Sequence, residues 1–458
     1  MKTLKYISLA LFVASSALTF TSCSDDEKGD PNSPMTINQI YLEDADAEDG
    51  VKDRAVDFAR LGQLIRIEGS GFLGLQRILV NGYATEFNNT MVTDNNIWVT
   101  LDGDTPIADA DADYRNTITL IKGGSTLKYN FTIRSASPSI TSFSLTLPEA
   151  GELVTVYGAN LQETTKITLP DGTEITSGIV SDEDGEWFTF TMPSGVDPEV
   201  GGSILTEGAN GQGKSPAQFN ERRTMILDFD GRGTQGGWSA TYTSDDLVGD
   251  PLNSGRGNVV PVVPESVLAE GGIKNGAHGN GWFTAGNGVD DWTAYTEIIP
   301  AETPVENIAF QFDIYVPGTW SGAGYLEFTF QNNLSSYGWG STETTNTKNI
   351  TYPTAVCWCP WYDEAANEVT PYTTDGKWVT ITIPVSKVGK YQEPDTYTFA
   401  DVIADRAAAS YANFGMFLVN SDIKSGDEVL VETGTFNQMI YVDNWRIVPN
   451  ETFTISDF

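Results

Sequence analysis

Along most of this chain apolar and polar residues alternate with a period of two, and that pattern constrains the fold more than any other feature. Ile308, Phe310, Phe312, Ile314 and Val316 form one apolar face, with Gln311, Asp313 and Tyr315 on the other. Leu326, Phe328 and Phe330 oppose Glu327, Thr329 and Gln331, and Val379, Ile381 and Ile383 oppose Trp378, Thr380 and Thr382. Successive side chains of a strand point to opposite faces, so each run reads as a strand with one face buried. Residues 225–230, 414–420 and 438–448 read the same way, and Gly, Asn and Asp turns punctuate the runs. No long segment repeats every 3.6 residues, and the best helix candidate is short, over 399–412. The chain is expected to be all-β.

A repeat divides it. Leu64-Ile65-Arg66-Ile67-Glu68-Gly69-Ser70-Gly71-Phe72 precedes Ile78-Leu79-Val80-Asn81-Gly82, and Leu153-Val154-Thr155-Val156-Tyr157-Gly158-Ala159-Asn160-Leu161 precedes Ile167-Thr168-Leu169-Pro170-Asp171-Gly172. Gly69 and Gly158 are placed to bend the backbone, and Gly71 and Asn160 to accept a positive φ. The copies lie 89 residues apart, about the length of one immunoglobulin-like sandwich. The pattern resembles the IPT/TIG domain, a small immunoglobulin-like fold. The resemblance places one copy over 37–135 and a second over 136–220, opened by Ser137-Pro138-Ser139-Ile140, and implies spacers. Residues 221–458 carry the strands above, joined by long Gly- and aromatic-rich loops, and read as a larger β-sandwich or jelly roll. At about 150 residues per domain, 458 residues accommodate three.

The first 22 residues read as an export signal. Lys2 and Lys5 precede an apolar run over 7–20, and Phe20-Thr21-Ser22-Cys23 ends it. This end resembles a bacterial lipobox of the relaxed Bacteroidetes kind, which implies a lipid on the Cys23 thiol. Ser24-Asp25-Asp26-Glu27 resembles the acidic export tag of outward-facing Bacteroidetes lipoproteins. Residues 23–36 then read as a polar tether.

Charge and composition exclude several chemistries. Lys+Arg number 26 against 62 Asp+Glu, a formal net charge of −36, and such a surface repels nucleic acids and anionic polymers. Cys23, Cys357 and Cys359 are too few for a disulfide framework. Cys357 and Cys359, two apart, read either as two thiols or as a strained bridge. A single histidine, His278 in a Gly-rich loop, rules out a histidine-rich zinc centre. Asp109, Asp111 and Asp113 lack the glycine and terminal glutamate of an EF-hand and read as a solvated turn. Asp228, Asp230, Asp443 and Asn444 could hold a structural Ca²⁺ only if the first and last strands of the C-terminal region meet, and no metal site is assigned. No cofactor is expected, and no motif singles out a catalytic carboxylate pair.

Aromatic residues in turns are the main functional signal. An indole face matches the C–H face of a sugar ring, and nearby amides bond its hydroxyls. The candidates are Trp292, Trp320, Tyr337 and Trp339 beside Asn332 and Asn333, and Trp358 and Trp361 in Cys357-Trp358-Cys359-Pro360-Trp361. Trp378 and Trp445 sit in apolar strands and read as core, and Trp238 and Phe283 as packing.

Lipobox, acidic tag, tandem IPT/TIG spacers and an aromatic-rich sandwich closing on Ile440-Tyr441-Val442-Asp443-Asn444-Trp445 together resemble the Bacteroidetes surface glycan-binding proteins of the xyloglucan-utilisation type. The resemblance implies a non-catalytic lipoprotein on the outer face of the outer membrane. It would capture a neutral polysaccharide of β-glucan, xyloglucan or β-mannan type, beside a TonB-dependent transporter and its partner lipoprotein. Trp292, Tyr337 and Trp339 best match that family's aromatic platform. An endo-glycosidase using two carboxylates and a protein-binding adhesin are the alternatives.

Overall fold

The computed structural model describes residues 30–43, 53–237, 241–269, 281–286, 290–330, 355–392, 396–409, 412–425 and 427–453. The chain forms two compact units, Met1–Ile133 and Arg134–Phe458.

In the first unit β1 (Thr36–Glu43), β2 (Leu64–Ser70), β3 (Leu75–Val80), β4 (Asn96–Thr100), β5 (Thr117–Lys122) and β6 (Ser125–Asn130) build two sheets, β1-β2-β4 and β3-β5-β6, each with one short added strand. Every second residue of β2 is buried. Ile65, Ile67, Ile78, Val80, Ile97, Ile118 and Leu120 form the core between the sheets.

The second unit opens with the second copy of this sandwich: β7 (Ser139–Phe143), β8 (Leu153–Ala159), β9 (Lys166–Thr168), β10 (Val180–Ser181), β11 (Trp187–Thr191), β12 (Leu205–Gly208) and β13 (Gly211–Lys214). Its sheets run β7-β8-β11-β10 and β9-β12-β13, the latter edged by Glu174–Ile175. The repeat glycines have a sharper role than bending the chain. A Cβ on Gly69 would lie 1.8 Å from the Thr36 carbonyl oxygen, and one on Gly158 1.9 Å from that of Ser139. In both copies the register of the neighbouring strand slips beside the glycine, at Ile37/Gln39 and Ile140/Ser142. The glycine therefore admits a bulged partner strand. Gly71 and Asn160 take positive φ of 76° and 58°.

The rest of the unit is a sandwich of two larger sheets. Its main strands are β14 (Met225–Leu227), β15 (Asn258–Val262), β16 (Val267–Ala269), β17 (Gly281–Phe283), β18 (Ile308–Tyr315), β19 (Tyr325–Thr329), β20 (Ala355–Trp358), β21 (Val379–Pro384), β22 (Gly415–Asn420) and β23 (Ile440–Pro449). One sheet orders β15-β23-β18-β21 with β14 beside β23; the other orders β16-β22-β19-β20 with β17 beside β22. The helix spans Phe399–Ala408, shorter than the 399–412 expected, and is capped by Thr398 and Asp401. Phe310, Phe312, Ile314, Phe328, Trp445 and Ile447 fill the core.

The polar face of β18 is not solvated. Gln311 and Asp313 are fully buried because the second small domain packs on that face. Gln311 donates to Gln218 Oε1 at 2.9 Å, Thr380 N to Ser144 O at 2.8 Å, and Thr146 N to Thr380 Oγ1 at 3.0 Å. Arg446 donates to Glu221 O at 3.0 Å and to Thr146 Oγ1.

Candidate functional site

Three of the expected platform tryptophans are core, which corrects that expectation. Trp320 and Trp361 are fully buried. Their indole nitrogens donate to Ala323 O and Gly324 O, each at 2.7 Å, so both rings fold back to staple the turn that launches β19. Trp292 is 1 % exposed, donates to Asp290 Oδ1 at 2.9 Å, and lies under the Arg406 guanidinium, 3.9 Å from the ring centroid. With one face taken by a cation and the ring enclosed, Trp292 has no surface to offer a sugar. Trp378 and Trp445 are buried.

Trp358 is different. It sits on β20, the edge strand of its sheet, and is half-buried. Its inner side makes edge-on contacts with Phe312, Trp320 and Tyr372, with centroids 5.2, 5.8 and 5.6 Å away. Tyr372, also half-buried, meets Trp320 through a backbone bridge of two 2.9 Å hydrogen bonds. Burial pushes the Tyr372 hydroxyl up to about 12, so it stays a neutral donor. Trp358 and Tyr372 thus form a half-buried aromatic pair at the edge strand of the sheet, packed against the core and backed by the buried Trp320. Tyr372 was not among the residues singled out from sequence, because a lone Tyr between Pro371 and Thr373 carries no pattern.

The opposite face of this sheet carries Tyr325, Glu327 and Thr329, all fully buried. Tyr325 shares a 2.7 Å hydrogen bond with Ser421, and burial raises its pKa. Cys357 and Cys359 are free thiols, both partly buried. Cys357 Sγ lies 3.9 Å from Glu327 Oε2, and burial pushes the Cys359 thiol up, so Cys359 is not poised as a nucleophile.

β19 and β20 are joined by residues 331–354. Asn332, Asn333, Tyr337 and Trp339 fall there, outside the described residues, as do Cys23, Trp238 and His278. The departure point of that segment is held firmly. Arg406, on the helix, donates to Phe330 O, to Asp290 O at 3.0 Å and to Ala412 O at 2.9 Å, and ion-pairs with Asp290 Oδ2 at 2.9 Å. Burial lowers the Arg406 pKa while Asp290 pulls it up. A cleft of about 350 Å³ opens beside this ion pair, bounded by Asp290, Asp291, Trp292, Thr293, Ile403 and Arg406.

The first and last strands of the sandwich do meet, Leu227 opposite Trp445, yet their carboxylates diverge. Asp228 Oδ1 caps the amides of Asp230, Gly231 and Arg232 at 2.8–3.0 Å. Asp230 Oδ1 accepts from Asn258 N and Nδ2 at 2.9 and 2.8 Å. Asp443 and Asn444 instead join a buried network with Asp313 and Arg256. These four residues therefore do not converge, and among the described residues no group of three His, Cys, Asp or Glu is placed to hold a metal. Asp111 Oδ1 accepts from Asp113 N at 2.8 Å, an ordinary turn.

Residues 219–449, which include every strand of this sandwich, match the family described as surface glycan-binding protein B xyloglucan binding domain. An IPT/TIG domain-containing protein of Bacteroides ovatus is 21% identical over 323 residues, covering 68% of this chain and 52% of its own length. The chain thus spans about half the length of that curated relative. The crystal structure of the surface glycan-binding protein PbSGBP-B from Prevotella bryantii superposes with a TM-score of 0.61 at 20% identity, over 91% of this chain and 99% of that one. The two share a fold. SGBP-B from a complex xyloglucan utilization locus in Bacteroides uniformis covers 91% of this chain and 99% of its own at 16% identity, with a TM-score of 0.45.

Proposed function

Since residues 219–449 make this chain a member of the surface glycan-binding protein B family, we propose that it is a non-catalytic cell-surface protein that captures a neutral polysaccharide of β-glucan, xyloglucan or β-mannan type. The family match across the whole C-terminal sandwich carries this reading. The aromatic edge of Trp358 and Tyr372 supports it: a stacking surface backed by buried Trp320 and Phe312 loses little side-chain freedom on binding. Tyr337 and Trp339, with Asn332 and Asn333, complete the platform in this reading, beyond a Phe330 carbonyl that Arg406 anchors. The net charge of −36 favours a neutral ligand. A lipid on Cys23 holds the protein at the outer face of the outer membrane, next to a TonB-dependent transporter and its partner lipoprotein.

Affinity gel electrophoresis of the full chain against a panel of neutral polysaccharides tests the reading. Retardation by at least one β-linked glucan or mannan is expected, and it should weaken at least 5-fold in Trp358→Ala. No retardation by any neutral glycan would sink the proposal. Release of reducing ends from the same panel would replace it with the glycosidase.

A further inference from the structure

The second small domain presents a sheet face that a spacer does not need. Along β8 and β11, Tyr157 stands opposite Trp187, Thr155 opposite Thr189, and Leu153 opposite Thr191. Val180 of β10 lies beside Thr189 on the same face. Tyr157 is 42 % exposed, Leu153 49 % and Val180 58 %, and Trp187 is half-buried. Tyr157 and Trp187 are therefore cross-strand neighbours on an exposed sheet face beside Thr155 and Thr189, with Asp182, just past β10, next to Trp187 at the end of the face.

The first domain shows what the same sheet looks like without this feature. The residues 89 positions earlier, Arg66 and Glu68 in place of Thr155 and Tyr157, form an ion pair at 3.1 Å. Arg66 also covers the Tyr41 ring at 4.1 Å. That face also carries aromatics, Tyr41 and Trp98 on either side of Arg66, but an ion pair and a cation–π contact occupy it, whereas the second copy has a threonine pair and exposed Tyr157 there. Exposed patches of this kind mark interaction sites.

We infer that the Tyr157–Trp187 face is a second glycan contact, which takes a neutral, extended β-linked polysaccharide. The inference rests on the polysaccharide-binding reading above and adds a site to it. Aromatic faces suit the C–H surfaces of successive sugar rings, and the threonine pair can bond equatorial hydroxyls. A face of aromatic and hydroxyl side chains with a carboxylate at its end, on a chain of net charge −36, suits a neutral partner rather than an anionic one. The domain shares one compact unit with the C-terminal sandwich, and in this inference one long polymer engages both contacts. The second contact then acts through effective concentration, and its effect appears only with chains long enough to reach both.

The test uses the full protein with two variants. Tyr157→Ala/Trp187→Ala removes the rings; Thr155→Glu/Thr189→Glu leaves them and charges the face, without touching the core. Each is run in affinity gels with the polymer that retards the wild type, and titrated calorimetrically with an oligosaccharide short enough for one site. Polymer retention should fall about 3- to 10-fold in both variants while oligosaccharide affinity stays within 1.5-fold, figures on the scale of modest avidity. Wild-type retention by either folded variant overturns the inference and leaves the function standing. Absence of wild-type retention in every gel overturns both. Capture of a protein partner through this face, with polymer retention unchanged, replaces the glycan with a protein ligand.

Discussion

Arg256→Leu is the most informative single perturbation, because Arg256 ion-pairs with the fully buried Asp313 and also ties the second small domain to the sandwich. The Arg256 side chain is 2 % exposed. It donates to Asp313 Oδ2 at 2.8 Å and to Leu147 O at 3.1 Å, and lies 3.6 Å from Glu152 Oε2. Leucine fills much of the volume but leaves the fully buried Asp313 carboxylate with Thr380 and Asn444 as its side-chain donors among the described residues, at 2.6 and 3.0 Å. Removing one partner of a buried ion pair costs about 3–5 kcal/mol. The unit holds roughly 325 residues. At about 2.1 cal/mol/K of unfolding entropy per residue, the loss is a fall in Tm of about 4–7 °C. Scanning calorimetry of the full chain reads it. The diagnostic arm is Arg256→Leu/Asp313→Asn, which removes both charges and should recover more than half of the loss, since most of it is the stranded carboxylate rather than the missing attraction. A single variant within 1 °C of wild type, or a double variant whose losses simply add, refutes the reasoning.

Two further outcomes follow from the same region and from the repeat. Burial raises the Asp443 pKa well above its ordinary value of 3.8, with Arg256 pulling it down and Asp313 pushing it up. The folded state thus holds this proton more tightly than the unfolded chain, so the group's contribution to stability is greatest at and below about pH 4 and is lost as pH rises toward the folded value. Asp443→Asn should flatten that decline and be at least as stable as wild type at pH 7; identical Tm–pH curves for the two would contradict it. Gly158→Ala drives a Cβ to 1.9 Å from Ser139 O, whereas Gly103→Ala meets nothing within 4 Å. The first should cost about 1–3 kcal/mol or more and the second almost nothing, and equal urea midpoints would refute the close-approach role.

What the sequence determined by itself is local. Period-two alternation located β18, β19 and β21 and named the two faces of each, because the pleat forces neighbouring side chains apart whatever surrounds them. The repeat located Gly71 and Asn160, since a positive φ is a property of one residue and its neighbours. What covers a face, and which way a ring turns, only the tertiary structure decided. Gln311 and Asp313 read as the solvent side of β18, yet a domain whose Thr146 and Gln218 lie 165 and 93 residues before Gln311 buries them. Trp320, Trp361 and Trp358 lie in similar Gly- and Pro-rich stretches, so nothing local separates them. Two of them turn inward because carbonyls of the 323–324 turn need donors, and one stays half-open because its strand is the last in the sheet. Burial depends on contacts between residues distant in sequence, which a local pattern cannot encode.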